Sequence, residues 1–429
     1  MPDQTTVTGS GARGTPLRQD ILLLFVGAAL VAGGIAGGWL FRSHRTAGSA
    51  WDCEGREQCA RFCDRKDWVG CTRLATTYWF PKEGQRDLGK AESIYRQACD
   101  GGEPLACFSL GRMYQDALAM RDKSAQAPEL LHRAAQGLER WCEQGTARSC
   151  MDLAAMYATG RGVERSPDRA AALQTKAAGM LEHECSAGTA RACSSLALLP
   201  VALQGGSKDR ARQMELIERA CELGDKQACM RGGNILGMQA REQPEELARA
   251  AKLFGKACEL DELVGCHAFA HLLHDGSGVP LDWKQSAELE KKACDGGFAP
   301  ACRELGRMTG AGEGVKKDAG REQELYKKEV SLRARGCAEG RADDCQELSQ
   351  NYRAEGLGVT IDMQRAREFE DLELRCRQED CDAGSVGDCT ALRMRLQGRP
   401  AMVDRMRAIR QRECQLGALD QCRALSHER

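Results

Sequence analysis

Twenty-three cysteines and a run of three closely spaced histidines are the residues of this chain whose type and spacing could do chemistry. Twenty of the cysteines fall into pairs with seven residues between them. These are Cys63 and Cys71, Cys99 and Cys107, Cys142 and Cys150, Cys185 and Cys193, Cys221 and Cys229, Cys258 and Cys266, Cys294 and Cys302, Cys337 and Cys345, Cys381 and Cys389, and Cys414 and Cys422. Two thiols at a fixed spacing can close a disulfide or ligate zinc. Structural zinc sites bring four ligands together and favour cysteines two to four residues apart. A seven-residue gap recurring once per helix pair offers only two thiols per layer, so the spacing favours disulfides. Three cysteines stand outside the pairs. Cys53 and Cys59 are close enough to bridge each other, and Cys376 is left odd, either a free thiol in a helix or a link to another chain.

The histidines lie in H-A-F-A-H-L-L-H, where His267, His271 and His274 are three of the chain's seven. Positions i, i+4 and i+7 share one helical face and could present imidazoles to a zinc or copper ion. They fall beside the apolar stripe of Phe269, Ala270 and Leu273 rather than in it. The competing reading is histidines that are solvated or bonded to neighbours, with no ion. No S-x-x-K, K-T-G, G-x-S-x-G or H-E-x-x-H occurs, so no catalytic residue and no cofactor is expected. With 61 basic and 62 acidic residues the formal net charge is −1, which lacks the basic excess of a nucleic-acid binder.

The elements that carry the cysteines can be read from their surroundings. After each second cysteine an apolar pattern at helical spacing begins, as in Cys150, Leu153, Ala154, Met156 and Tyr157. This helix A stops at paired glycines followed by valine: Gly160/Gly162/Val163, Gly276/Gly278/Val279, Gly312/Gly314/Val315 and Gly356/Gly358/Val359. Ser166 with Pro167, Asp282 and Asp362 then supply N-caps for a helix B that runs to the next first cysteine. Three residues beyond that cysteine stands a glycine, from Gly102 to Gly417, with Asp261 as the departure. Paired thiols therefore face each other across a short turn between helix B and the next helix A. The first cysteines recur every 33 to 44 residues, the mark of a stacked repeat array. Where the period is 43, as from Cys142 to Cys185, the extra seven residues are expected in helix B, about two turns that keep its apolar face in register.

On these residues the chain resembles the Sel1-like repeat family, relatives of the tetratricopeptide repeat. The resemblance is carried by Ala154, Met156, Tyr157, Gly160, Gly162 and Val163, by the helix B alanines Ala170 and Ala177, and by Gly278, Val279, Asp282 and Ala287. It covers about residues 60 to 425, and the paired cysteines are similar to those of the disulfide-rich bacterial branch. It implies an all-α fold, a right-handed α/α solenoid of helix hairpins stapled by C-x7-C disulfides, Cys63–Cys71 through Cys414–Cys422. It also implies that helix A lines a concave surface. Some cysteine-rich members carry a β-lactamase label, imported here without a residue to support it. The repeats opening at Cys107, Cys193, Cys229 and Cys389 lack the glycine turn.

Ahead of the repeats, residues 1–20 read as a disordered tail. Residues 21–41 carry no charge, which is the length and polarity of a membrane-crossing helix. They read as an uncleaved signal anchor, against a cleaved signal peptide ending near Gly48-Ser49-Ala50. Gly33/Gly37 and Gly34/Gly38 form small-xxx-small pairs that could let two such helices pack as a homodimer, against the competing reading of glycine as ordinary membrane-helix filler. Residues 42–52 are a linker, and 53–429 hold about nine helix pairs with capping segments. Flanking arginines give no orientation, but cysteines at disulfide spacing call for an oxidising compartment. The repeats are therefore expected outside the cytoplasm, in the periplasm or at the cell exterior, with the amino terminus inside. The expected role is an anchored, non-enzymatic scaffold for a protein or peptide partner, with β-lactam or cell-wall chemistry and a histidine metal module as alternatives. Each repeat is expected to need only its neighbours for a core.

Overall fold

The computed structural model describes residues 53, 55–81, 86–199, 207–239, 245–355, 358–397, 402–418 and 420–422. Residues 21–41 lie outside these; among the described residues, no helix is long and apolar enough to cross a membrane. The chain divides into two units, Met1–Glu54 and Gly55–Arg429. The second unit is described below.

All regular structure among the described residues is helical. A first helix, α1 (Gly55–Cys63), precedes α2 (Trp68–Trp79) paired with α3 (Leu88–Asp100), α4 (Pro104–Asp116) with α5 (Ala127–Glu143), and α6 (Ala147–Thr159) with α7 (Pro167–Ser186). Next come α8 (Ala190–Leu196) with α9 (Ser207–Glu222), α10 (Lys226–Gln239) with α11 (Glu246–Glu259), and α12 (Leu263–Asp275) with α13 (Trp283–Asp295). Last are α14 (Ala299–Ala311) with α15 (Ala319–Ala338), α16 (Ala342–Asn351) with α17 (Met363–Asp382), and α18 (Val386–Leu396) with α19 (Val403–Gln415). In the periods that end at Cys185, Cys337 and Cys381 the extra residues do lie in helix B, since α7, α15 and α17 have 20 residues where α13 has 13. The 43-residue period from Cys99 to Cys142 instead divides them between a 17-residue α5 and a 3-10 segment, Leu118–Gln126.

Each C-x7-C pair is a disulfide joining the end of one helix B to the start of the next helix A, with Cα atoms 4.4 to 4.8 Å apart. Cys337 at the end of α15, for example, bridges to Cys345 in the first turn of α16, and Cys345 is fully buried there. Cys59 in α1 is also disulfide-bonded. The turn between paired cysteines needs one residue in the left-handed region, and glycine takes that place at Gly297, with φ +96°. Asp261 adopts the same conformation at φ 59°, and the first junction adds a second non-glycine, Lys66, at φ 60°.

The paired glycines between helices A and B have separate reasons. Gly276 ends α12 in the left-handed conformation, with its N–H on the Leu272 carbonyl. Gly278 is left-handed too, and a Cβ there would meet the Leu247 backbone of α11 at 2.4 Å. The second glycine thus lets each loop sit on the helix B of the preceding pair. Gly356 lies outside the described residues. Of the repeats without this turn, the one opening at Cys107 connects through a 3-10 segment, Leu118–Gln126. The connections at 200–206, 240–244 and 398–401 fall outside the described residues. Capping follows the sequence closely: Asp282 accepts from the Gln285 N–H at 2.9 Å and Asp362 from Arg365 at 3.0 Å.

The core runs along the array as successive clusters, around Leu110 and Tyr114, then Ile217 and Leu236, then Cys302 and Met308, then Cys345 and Leu348, then Leu392. Contacts are not confined to neighbouring repeats, which corrects the sequence expectation. The Trp79 indole donates to the Ala383 carbonyl at 3.1 Å, Arg86 pairs with Asp380, and Arg412 donates to the carbonyls of Asp116 and Asp382. Ala383 is buried in the same cluster as Trp79 and Tyr114. The two ends of the array therefore touch. A small rotation per repeat, summed over nine pairs, brings them together, and no local motif encodes such a sum. Cys376 stands in α17, the free cysteine among the described residues, and its burial pushes the thiol up from its ordinary value. A buried thiol is a poor link to another chain.

Candidate functional site at the histidine cluster

α12 presents His267, His271 and His274 because residues three and four apart fall on one side of a helix. Cys266, Ala270 and Leu273 are buried on the adjoining stripe and fix the rotation of the helix. The structure separates the three histidines into two environments. His267 and His271 stand edge to face, with ring centroids 4.5 Å apart, and Phe298 packs on His267 at 5.3 Å. His267 Nδ1 lies 2.9 Å from both carboxylate oxygens of Glu290 on α13. Glu290 is fully buried.

His274 belongs to a different group, which corrects the expectation of a three-histidine site. Its Nδ1 bonds Asp275 at 2.9 Å and its Nε2 lies 2.8 Å from both Glu313 and Arg307. A single nitrogen cannot donate to Glu313 and accept from Arg307 at once, so protonation decides between them. Bonds to Asp275 and Glu313 raise the His274 pKa, which shifts the balance toward the protonated ring that donates to Glu313. Trp283 stacks on this ring and its indole donates to the His274 carbonyl at 3.1 Å.

Glu290 is the residue that sequence reasoning missed. Its signal was present, since Ala287, Glu290, Ala293 and Cys294 share the core stripe of α13 and a carboxylate there is out of place. Burial raises the Glu290 pKa against the lowering effect of the His267 bond. Burial likewise lowers that of His271, and the neighbouring His267 adds to the effect. Both groups are thus pushed toward neutrality. His267, His271 and Glu290 each offer a ligand atom within 4.8 Å of the others.

Three further carboxylates in the array are as deeply buried as Glu290, namely Glu329, Glu373 and Glu413. All three meet arginine. Glu329 takes Arg303 at 2.8 Å, the Asn351 amide at 3.1 Å, and Arg333. Glu373 takes Arg377 at 3.0 Å and Arg395 at 2.9 Å, and Glu413 takes Arg393 at 2.9 Å with Thr390 at 2.6 Å. Arg303 and His267 both directly follow a second cysteine, so imidazole in one repeat occupies the place of guanidinium in the next.

The Sel1 repeat pattern matches residues 68–103, 104–137, 147–180, 241–262 and 299–328. No curated protein matches the chain. Among solved structures, it is similar to a protective antigen of uropathogenic Escherichia coli displaying an SLR fold, at 19% identity over 84% of this chain and 72% of that one, with a TM-score of 0.37. A Sel1 repeat protein from Oxalobacter formigenes is 19% identical over 60% of this chain and 96% of its own, at a TM-score of 0.40. Helicobacter pylori cysteine rich protein B is 26% identical over 30% of this chain and 92% of its own, at a TM-score of 0.24.

Proposed function

From the premise that this chain is a Sel1-repeat protein, we propose that it is a membrane-anchored scaffold outside the cytoplasm that holds a protein or peptide partner. One observation carries the binding role. Where helix A turns into helix B, two repeats place large apolar side chains in solvent on either side of the capping aspartate: Leu281 and Trp283 around Asp282, Ile361 and Met363 around Asp362. These four are about half exposed, and water-facing apolar groups in a repeated register are a cost that contact with a partner removes. Repeat arrays use such extended surfaces to bind other proteins, an argument from the class of fold.

The location rests on chemistry. Ten local disulfides persist only where thiols are not kept reduced, and residues 21–41 have the length and polarity of an anchor. The amino terminus then lies in the cytoplasm and the array in the periplasm or beyond the cell. Cross-linking in cells tests the binding role, comparing the native chain with one in which Leu281, Trp283, Ile361 and Met363 are all changed to serine. Loss of a defined cross-linked protein is expected; an unchanged set of products rejects this surface. Carbonate washing tests the anchor, and release of the intact chain rejects it.

A further inference from the structure

We propose that His267, His271 and Glu290 form a binding site for a first-row divalent cation, Zn2+ foremost, with water completing the shell. The donor set fits. Two imidazoles and one carboxylate are a known ligand set for zinc with one position left open, and imidazole selects zinc over magnesium or calcium. The H-x3-H spacing in α12 puts both rings on one face, and α13 brings the carboxylate from the adjoining helix.

The arginine layers give the independent reason. A wholly buried carboxylate is tolerated when its charge is matched. Glu329, Glu373 and Glu413 are matched by guanidinium groups, whereas among the described residues the side-chain hydrogen bonds to Glu290 come from His267. A divalent ion would supply the missing positive charge. It would also reverse the local preference for neutral groups, because a bound cation favours the carboxylate and binds neutral imidazole. His267 Nδ1 lies 2.9 Å from both Glu290 oxygens, so an ion shared by the two residues would take the place of the proton between them. Ligand atoms around a tetrahedral zinc sit roughly 3.4 Å apart, given bonds of about 2.0 to 2.1 Å. The three ligand atoms lie within 4.8 Å of one another, so binding would require them to draw in by up to about 1.4 Å. His271 is partly exposed, so an ion can enter from solvent on that side. Glu304 lies close enough to act electrostatically on both His271 and Glu290, adding negative potential at the site.

The test is titration of the full, disulfide-intact chain, stripped of metal and free of any histidine tag, with Zn2+ by calorimetry and with Co2+ by absorption. It is done on the native chain and on Cys376→Ser, which removes the one free thiol among the described residues. One equivalent of Zn2+ is expected in both, together with the visible absorption of a tetrahedral Co2+ centre. His271→Ala, a change at a partly exposed position, should weaken binding at least about tenfold, as should the isosteric Glu290→Gln. His274→Ala should leave affinity unchanged. Absence of saturable binding, equal affinity in His271→Ala, or dependence on His274 or Cys376 in place of these ligands would each overturn the assignment.

Discussion

Two adjacent layers of the array solve one problem in opposite ways. Around Glu329 the carboxylate sinks between Arg303 and Arg333 with Asn351 closing the set, and the charge is balanced by groups that stay protonated at any ordinary pH. Around Glu290 the same depth of burial meets His267, and imidazole is charged only over part of the pH range. The first layer is a fixed internal lock. The second depends on what else is bound or protonated. A repeat fold permits this because each junction carries its own polar chemistry while cysteine, glycine and cap residues keep the frame constant.

Arg333→Met should separate the two layers most strongly. Removing one partner of a buried charge costs on the order of 3 kcal/mol, and protection from hydrogen exchange should fall in α14 to α16 while α12 and α13 keep theirs. Equal loss in both layers would mean that the arginine set is not a local lock.

Cysteine replacement separates the covalent frame from the charges it carries. The bridge from Cys258 to Cys266 flanks the histidine layer and the bridge from Cys337 to Cys345 the arginine layer, both at a separation of eight residues. Changing either pair to serine should cost about 2 to 3 kcal/mol by the loop-closure estimate. Similar losses are expected in denaturant titrations of the two double variants. A large inequality would show that the bridges are not interchangeable clamps.

The smallest effect is one of pH. The His274 pKa is raised by Asp275 and Glu313, so its contribution is present below the ordinary histidine value and is lost as pH rises through the raised one. His274→Ala should lower thermal stability in mildly acidic buffer by less than about 1 kcal/mol and change little in alkaline buffer. An equal deficit at both pH values would show packing on Trp283 rather than charge. The Glu329 layer has no imidazole among its described partners and should show no such window.

Much of the frame was legible because its signals are local and repeated. Cysteine spacing marks the junctions, and glycine at the left-handed turns and aspartate at the helix starts each follow from one residue's backbone needs. Asp261 and Lys66 show the limit, since the turn imposes its conformation even where glycine is missing. Glu290 was legible only by helical phase. The three histidines share one face, as their spacing requires, but the face is wide enough that α13 claims His267 while the loop at Glu313 claims His274. Contact between the first and last repeats had no signal, because it arises from a rotation summed along the array. The apolar segment 21–41 lies outside the described residues.

Whether Glu290 is unmatched by cationic side chains where Glu329 is matched can be decided by one side-by-side measurement. Glu290→Gln and Glu329→Gln are compared with the native chain by hydrogen exchange after metal has been stripped from all three. Glu329→Gln should take the buried carboxylate from Arg333 and Arg303, leaving Arg333 with Asp344 at 3.3 Å, and cost on the order of 3 kcal/mol across α14 to α16. Glu290→Gln strands no arginine or lysine among the described residues and should leave α12 and α13 as protected as before, within about 1 kcal/mol. If Glu290→Gln instead costs as much as Glu329→Gln in the stripped chain, the carboxylate is already paired with a charged imidazole and the two layers are the same device.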